Sequence, residues 1–254
     1  MSIDTAIVVP ARLASTRFPR KLMHIVGGRP LILWTAARVR AMAPDFPLYF
    51  AVAEEELAEV LGREGYNCVL TDPNLPSGTD RIAQANAKIG AKRIINVQAD
   101  EPMVAKSHIA SLARMITSGK CDMATLGTPF TKMEDFYDAN RVKVVRGVDG
   151  IALYFSRAPI PFRRDTKGAV DEAFLARKVA LLHLGMYAYT AQFLERFPKL
   201  PMGTLESIEK LEQLRAMENG MRIAVDVTEE TTVGIDSPSD VPILEARLKA
   251  EGLL

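Results

Sequence analysis

The sequence is poor in cysteine and almost neutral, and both properties narrow the class of protein. Of its 254 residues only Cys68 and Cys121 are cysteines, and they stand in separate predicted elements, so we expect reduced structural thiols in a cytosolic protein. A net charge of +1 gives no overall attraction to nucleic acid or an anionic membrane, so any cationic function has to be local. No run approaches the ~18 apolar residues of a transmembrane helix, and we expect no stable membrane insertion. The opening residues Met-Ser-Ile-Asp-Thr lead almost at once into a predicted strand, so we expect no signal peptide.

What the sequence does contain is an alternation of apolar strands and amphipathic helices. Predicted strands are 6–10, 48–53, 68–70, 93–98, 123–128, 141–146, 151–156, 180–190 and 222–227, and predicted helices are 30–42, 54–64, 79–89, 107–117, 191–197, 204–218 and 237–250. This rhythm predicts an α/β fold with a mostly parallel, doubly wound sheet. With no clear linker, we expect a single domain over 1–254 that carries an antiparallel lobe at about 141–190.

A basic loop follows the first strand. Arg12, Arg17 and Lys21 lie four to five residues apart directly after it, where ligands bind in open α/β sheets. The loop lacks the Walker pattern G-x-x-x-x-G-K-[ST] and the dinucleotide pattern G-x-G-x-x-G. Its cations suit a polyanion such as a nucleoside triphosphate, although a solvated basic loop has the same spacing.

Two carboxylates stand at comparable positions further along the chain. Asp100 follows the apolar strand in Val97-Gln-Ala-Asp-Glu-Pro102, and Asp236 precedes the last helix in Gly234-Ile-Asp-Ser-Pro238. Mg²⁺ commonly takes one or two carboxylates together with substrate phosphates, so this pair predicts a metal site beside a triphosphate. The alternative is that Asp100 or Glu101 only caps the next helix and that Asp236 belongs to a plain Asp/Ser cap.

A third motif, Pro76-Ser-Gly-Thr-Asp-Arg81, opens a helix. The backbone N–H groups around Ser77 and Gly78 would reach a base or a phosphate, and a simple capped helix start is the competing interpretation.

The helix predicted over 204–218 has two faces. Its apolar stripe is Leu205, Ile208 and Leu211. Its polar face carries Glu206, Glu209 and Gln213, acceptors that suit a hydroxyl-rich ligand such as a sugar, or else a solvated surface. Two residues of the antiparallel region also stand out. His183 lies in an apolar strand, where a core role is usual, and Arg157 ends another strand, where a structural ion pair is the alternative.

These motifs, in this order, resemble the CMP-Kdo synthetase family, the 3-deoxy-manno-octulosonate cytidylyltransferases. The matching segments, which run nearly the whole chain, are Pro10-Ala-Arg-Leu-Ala-Ser-Thr-Arg17, Ser77-Gly-Thr-Asp-Arg81, Asn96-Val-Gln-Ala-Asp-Glu-Pro102, Ala152-Leu-Tyr-Phe-Ser-Arg157, His183-Leu-Gly-Met-Tyr187, Leu205 to Arg215 and Gly234-Ile-Asp-Ser-Pro238. The resemblance implies a Rossmann-like nucleotidyltransferase fold of the glycosyltransferase-A type with an antiparallel dimerisation and sugar-binding lobe. It also implies a cytoplasmic homodimer that uses CTP, a 3-deoxy-octulosonate-type sugar acid and Mg²⁺ to make a lipopolysaccharide precursor.

The resemblance also implies roles for individual residues. The nucleotide-binding set is Ala11, Arg12, Arg17, Lys21, Ser77, Gly78 and Gln98. The sugar-binding set is Gln98, Arg157, His183, Tyr187, Glu206 and Gln213, with Arg157 or His183 near the sugar carboxylate. Asp100 and Asp236 would bind Mg²⁺, and together with Arg12 and Lys21 they form the expected catalytic set.

The chain departs from the family pattern at a few positions. A glycine before the loop lysine and a proline after it are usual, and here they are Arg20 and Leu22. The family's Asp-His before the Ser-Gly-Thr motif is replaced by Asn74-Leu-Pro76, and Gln-Gly-Asp reads Gln98-Ala99-Asp100. Two rival functions stay open: the same transfer to another acid sugar, such as the 8-amino analogue, and a nucleotide-binding protein that has lost turnover.

Overall fold

The computed structural model of the chain describes residues 3–232 and 234–254. The strands are β1 (Thr5–Ala11), β2 (Ile25–Val26), β3 (Arg29–Pro30), β4 (Leu48–Val52), β5 (Asn67–Leu70), β6 (Arg93–Asn96), β7 (Met123–Pro129), β8 (Lys143–Arg146), β9 (Ala152–Ser156), β10 (Leu181–Thr190) and β11 (Ile223–Val227). The α-helices are α1 (Leu31–Met42), α2 (Glu55–Arg63), α3 (Gly78–Ile89), α4 (Lys106–Thr117), α5 (Met133–Tyr137), α6 (Glu172–Ala176), α7 (Ala191–Arg196), α8 (Thr204–Glu209), α9 (Gln213–Glu218) and α10 (Val241–Ala250). Short 3₁₀ turns lie at Lys21–Met23, Arg164–Thr166, Phe197–Lys199 and Pro238–Asp240.

The chain divides into two compact units. Unit 1 comprises the chain up to Ile109 and again from Thr232 onward, and unit 2 comprises Ala110–Thr231. Unit 2 is therefore an insertion in unit 1 along the sequence. The single-domain organisation expected from the sequence stays a prediction.

Unit 1 is built on a parallel sheet in the order β6-β1-β4-β5. Its inner strand β1 is fully buried from Ala6 to Val9, as expected for a parallel strand covered on both faces. Helix α3 begins where predicted, because the Ser77 hydroxyl accepts a hydrogen bond from Asp80 N at 3.2 Å. The carboxyl ends of β1 and β6 are neighbours, which brings the segments that follow them to one edge of the sheet.

Unit 2 mixes strand directions. β7 pairs in parallel with β11 and antiparallel with β10, and the antiparallel strands β8 and β9 extend from β10. The ladder between β7 and β10 shifts register between Leu184 and Tyr187. Such bulges re-aim side chains, and this one separates His183 from Tyr187. The predicted mixed α/β fold is thus confirmed.

The prediction of one continuous helix over 204–218 is wrong in two respects. It is broken at Lys210, whose left-handed backbone (φ 54°) ends α8 before α9 begins. Its predicted apolar stripe is wrong at two of three positions: Leu211 is buried, but Leu205 and Ile208 are exposed. Two of the polar residues, Glu206 and Gln213, are buried instead. The reason is a tertiary pairing of Glu206 with Arg215, which makes burial of the carboxylate favourable.

Candidate active site

A cleft of about 510 Å³ lies in unit 1. The residues that line it include all of the predicted nucleotide-binding set, namely Ala11, Arg12, Arg17, Lys21, Ser77, Gly78 and Gln98, together with Asp100. Their convergence follows from the topology, because the loop after β1 and the segment after β6 leave neighbouring parallel strands at the same edge. The fold therefore gathers residues that the sequence separates by up to 89 positions, from Ala11 to Asp100.

Lys21 is the centre of the charged groups in this cleft. Its ammonium donates to a carboxylate oxygen of Asp100 and to the Ile235 carbonyl at 2.9 Å. Asp236 Oδ1 lies 3.6 Å from the same nitrogen. A backbone bond from Ile235 N to Asp100 O, 3.0 Å long, fixes the two acidic segments side by side. The structure thus brings Asp100 and Asp236 to one cation, a proximity that the sequence alone could not establish.

Arg17 adds a second cation to the same group. Its guanidinium donates to Asp236 Oδ1 at 2.8 Å, and both side chains are exposed. Arg12 lines the cleft with an exposed side chain. The loop that carries these cations is anchored at Leu13, whose N–H donates to both carboxylate oxygens of Glu54 at 3.1 Å. Sequence reasoning missed Glu54, although its place at the acidic start of α2 was a usable signal.

The backbone conformation at position 20 explains why the family usually has glycine there, although this chain has Arg20. Its backbone lies in the left-handed region (φ 55°, ψ 28°), which favours glycine. The guanidinium of Arg20 pairs with Glu56 Oε1 at 2.5 Å, so the strained residue has a partner on α2. The following Leu22, at the family's proline position, is buried.

Glu101, which the sequence offered only as a strand-end carboxylate or a helix cap, was not among the predicted site residues. Its Oε2 atom is buried and has no hydrogen-bond partner within the described residues. Burial, followed by the neighbouring Asp100 charge, raises the pKa of Glu101 to about 8. Its position directly after Asp100 in the sequence was the only available signal.

The predicted sugar-binding residues other than Gln98 lie in unit 2. Arg157 is held at the end of β9, where its Nε donates to Glu209 O at 2.7 Å and its Nη1 to Ala139 O at 3.0 Å. No hydrogen bond within residues 3–232 and 234–254 engages Nη2, so one donor edge of the guanidinium is available to an anion.

His183 is neutral at physiological pH. Its ring packs on Phe155, with centroids 5.0 Å apart, and burial lowers the pKa of His183 to about 3. Thr125 donates its single hydroxyl proton to Met186 O at 2.7 Å, its shortest contact, so Nε2–H of His183 donates to Thr125 Oγ1 over 3.0 Å. Nδ1 is then an acceptor, which makes His183 a partner for a hydroxyl rather than for a carboxylate.

Gln213 and Glu206 differ in how far their polar atoms are satisfied. Gln213 accepts from the Tyr187 hydroxyl at 3.5 Å, and its buried Nε2 has no partner among the described residues. Glu206 is fully engaged, because Arg215 donates to its two oxygens at 2.7 and 2.6 Å, and the guanidinium lies 4.6 Å from the Phe197 ring centroid. Gln213 therefore has a donor without a partner among the described residues, whereas both carboxylate oxygens of Glu206 are paired.

A charged cleft at the carboxyl edge of a parallel sheet is suited to a phosphorylated ligand, and comparison with known proteins identifies the class of enzyme. The cytidylyltransferase family model matches residues 6–223. The chain belongs to this family and is an enzyme of the cytidylyltransferase class.

Relatives place the chain more closely within the family. A protein of Xanthomonas campestris pv. campestris (strain 8004), named 3-deoxy-manno-octulosonate cytidylyltransferase, is 42% identical over 247 residues, which cover 95% of this chain and 98% of the relative. A protein of the same name from Geobacter sulfurreducens is 38% identical over 250 residues, covering 97% and 100%. A solved structure of CMP:2-keto-3-deoxy-manno-octonic acid synthetase complexed with CTP has a TM-score of 0.88 at 30% identity and covers 98% of this chain and 99% of that one. The resemblance inferred from the motifs is confirmed.

Proposed function

We propose that this chain transfers CMP from CTP to the anomeric hydroxyl of 3-deoxy-manno-octulosonate and releases pyrophosphate. The observation that carries the proposal is the convergence of Asp100 and Asp236 on the Lys21 ammonium, in a cleft that Arg12 and Arg17 also reach. In the reaction the hydroxyl gives up its proton to solvent and its oxygen bonds to the α-phosphorus, while the bond from that phosphorus to the bridging oxygen breaks and this oxygen leaves with pyrophosphate. The relatives named for this activity cover nearly the whole chain, which supports the same assignment.

The cations of unit 1 hold the triphosphate. Arg17 can exchange its carboxylate partner for phosphate oxygens, because its ion pair with Asp236 is exposed and weakly held, and Arg12 and Lys21 line the same cleft. These charges stabilise the leaving pyrophosphate, and positioning and charge neutralisation supply most of the catalysis. Ser77 and Gly78, at the start of α3, bind the cytosine, and Gln98, which lines the same cleft, is a further polar contact.

Asp100 and Asp236 are proposed to hold Mg²⁺. The donor chemistry fits, because both carboxylates already converge on one cation and the buried Glu101 Oε2 beside them is unpartnered within the described residues. Among the described residues no cluster of three or more His, Cys, Asp or Glu could hold a metal ion by itself, so we propose that substrate phosphates supply the remaining ligands. When bound, the ion polarises the phosphate and neutralises its charge.

Unit 2 is proposed to bind the sugar acid. Arg157 is the partner for its carboxylate, because His183 is neutral and its Nδ1 is an acceptor. His183, Tyr187 and Gln213 contact hydroxyls, and the unpartnered Gln213 Nε2 supports a ligand there. Glu206 stays in the proposed sugar-binding set, but its carboxylate oxygens would have to accept from the sugar as well as from Arg215.

The biological setting is proposed from the similarity to the relatives named above. We assign the product to lipopolysaccharide synthesis, the enzyme to the cytoplasm and the working form to a homodimer. None of the helices that the structure describes is long and apolar enough to cross a bilayer.

The decisive experiment follows pyrophosphate release from CTP and Mg²⁺ with a panel of sugar acids. We expect release with 3-deoxy-manno-octulosonate and little with a sialic acid. Faster release with the 8-amino analogue would reassign the sugar. Tight CTP binding without release for any sugar would instead indicate a nucleotide-binding protein.

A further inference from the structure

Lys143 is an unusual residue for the interior of unit 2. The side chain lies on β8 and is fully buried. Its ammonium donates to two main-chain carbonyls, Asp138 O at 2.7 Å and Arg157 O at 2.8 Å, rather than to carboxylates. Burying an ammonium costs several kcal/mol, and an apolar side chain of similar volume would often stabilise a fold better. The buried position of Lys143 is therefore better explained by the two main-chain carbonyls that its ammonium holds in place than by a contribution to the stability of the fold.

Glu209 holds the same segment from the other side. Its Oε2 accepts from Arg157 N at 2.9 Å and its Oε1 from Ser156 Oγ at 2.6 Å. Its own carbonyl accepts from the Arg157 Nε at 2.7 Å. The left-handed Lys210 that ends α8 turns the chain immediately after this carbonyl, so the broken helix presents it to the guanidinium.

The contacts together fix Arg157 at its backbone N, its backbone O and its Nε. The charges are complementary as well. Desolvation lowers the pKa of Lys143 and the nearby Arg157 charge adds to that effect, while the charges of Asp138 and Glu209 oppose it. An anchored guanidinium loses little rotational freedom on binding an anion, which is the usual benefit of preorganisation.

We infer that Lys143 and Glu209 are positioning residues that set the Arg157 guanidinium for the sugar carboxylate. This inference rests on the proposed role of Arg157 as the contact to the sugar acid. Neither residue touches the substrate in this arrangement; both act through Arg157. The sequence alone offered only Glu209, as one acceptor on a polar face, and gave no reason to single out Lys143.

The test is a double-mutant cycle on the full chain, read as the KM for 3-deoxy-manno-octulosonate and the KM for CTP. Glu209→Gln should raise the sugar KM about tenfold, the loss expected when one charge-assisted hydrogen bond is weakened. The CTP KM should change less than about twofold, since the nucleotide residues lie elsewhere. In an Arg157→Ala background, Glu209→Gln should add no further increase, because it acts only through the missing guanidinium. Glu195→Gln, the same change at an exposed residue of α7, is the matched control and should leave both constants unchanged.

Each outcome decides one of the two claims. An unchanged sugar KM in Arg157→Ala overturns the role of Arg157 and with it this inference. A raised sugar KM in Arg157→Ala together with an unchanged one in Glu209→Gln overturns the inference alone. Equal increases in both KM values, with a lowered Tm, assign Glu209 a merely structural role and also overturn it. If Glu209→Gln fails to fold, Lys143→Arg, which keeps the charge, carries the same comparison, with Lys199→Arg at an exposed position as its control.

Discussion

Replacing Arg20 by glycine should stabilise the chain relative to replacing it by alanine. Arg20 has a left-handed backbone (φ 55°), which a residue with a Cβ adopts at a cost and glycine adopts freely. Both variants lose the ion pair with Glu56, so the difference between them isolates the backbone. Glycine at this position would also restore the pattern usual in the family.

The size of the effect follows from two opposing contributions. At a left-handed position glycine is favoured over alanine by about 1 kcal/mol, even after its greater freedom in the unfolded chain is counted. The lost ion pair joins two exposed side chains and contributes about 0.2–1 kcal/mol. Arg20→Ala loses only the ion pair, so it should lower the free energy of unfolding by about 0.2–1 kcal/mol. Arg20→Gly also gains the backbone term, so its free energy of unfolding should lie between unchanged and about 0.8 kcal/mol higher.

The assay is thermal and urea unfolding of the three proteins. A difference of about 1 kcal/mol corresponds to about 2–4 °C in Tm for a chain of this size. Arg163 provides a matched control, because it too forms a surface ion pair, with Asp171 at 2.8 Å, but its φ is −84°. There the order should reverse, with Arg163→Ala more stable than Arg163→Gly.

The reasoning about Arg20 is refuted if Arg20→Ala is as stable as Arg20→Gly. It is also refuted if glycine is equally favoured at Arg163, because the preference would then owe nothing to the left-handed backbone.

Three further predictions concern the two units separately. Asp100→Asn should lower pyrophosphate release about a hundredfold or more at saturating Mg²⁺ while the far-UV circular dichroism stays unchanged, and release at the normal rate would remove Asp100 from the metal site. His183 has a folded pKa of about 3, below its unfolded value of about 6.5, so its contribution to stability is complete above pH ~6.5 and is lost as the pH falls toward 3. Between pH 6 and 4 the free energy of unfolding in urea should therefore fall, by up to about 1.4 kcal/mol per pH unit, more steeply for the unchanged protein than for His183→Gln. Equal slopes would contradict a neutral His183 ring in the folded protein. Arg215→Met should lower the free energy of unfolding by about 3 kcal/mol, because it leaves the Glu206 carboxylate buried without its partner, and the double variant with Glu206→Gln should recover much of that loss in the same assay. Additive losses in this pair would show that the two side chains do not depend on each other.

The sequence was sufficient for most of unit 1. The apolar run of β1 and the capping serine at α3 are local signals, and their neighbours in the sheet follow from the parallel topology, which is why Lys21 and Asp100 were expected at one edge. The proximity of Asp236 to Lys21 could not be predicted from the sequence, because no local rule brings residues 215 positions apart together.

Unit 2 was less accessible from the sequence. The break at Lys210 has no glycine to mark it, and the helical pattern runs through it without interruption. The burial of Glu206 depends on Arg215, a partner whose geometry exists only after the break has turned α9 back. The orphan atoms of Glu101 and Gln213 are likewise properties of packing, which composition and spacing do not contain.

The order in which the chain is synthesised has a consequence for the charged cleft. Lys21 and Asp100 emerge from the ribosome early, but Asp236 and the Ile235 carbonyl emerge only after all of unit 2 has been made. Until then the Lys21 ammonium has Asp100 as a partner but lacks both Asp236 and the Ile235 carbonyl. The charged cleft of unit 1 is thus completed last, and a nascent chain that stops before Thr232 would contain unit 2 but lack Ile235 and Asp236, the last partners of Lys21.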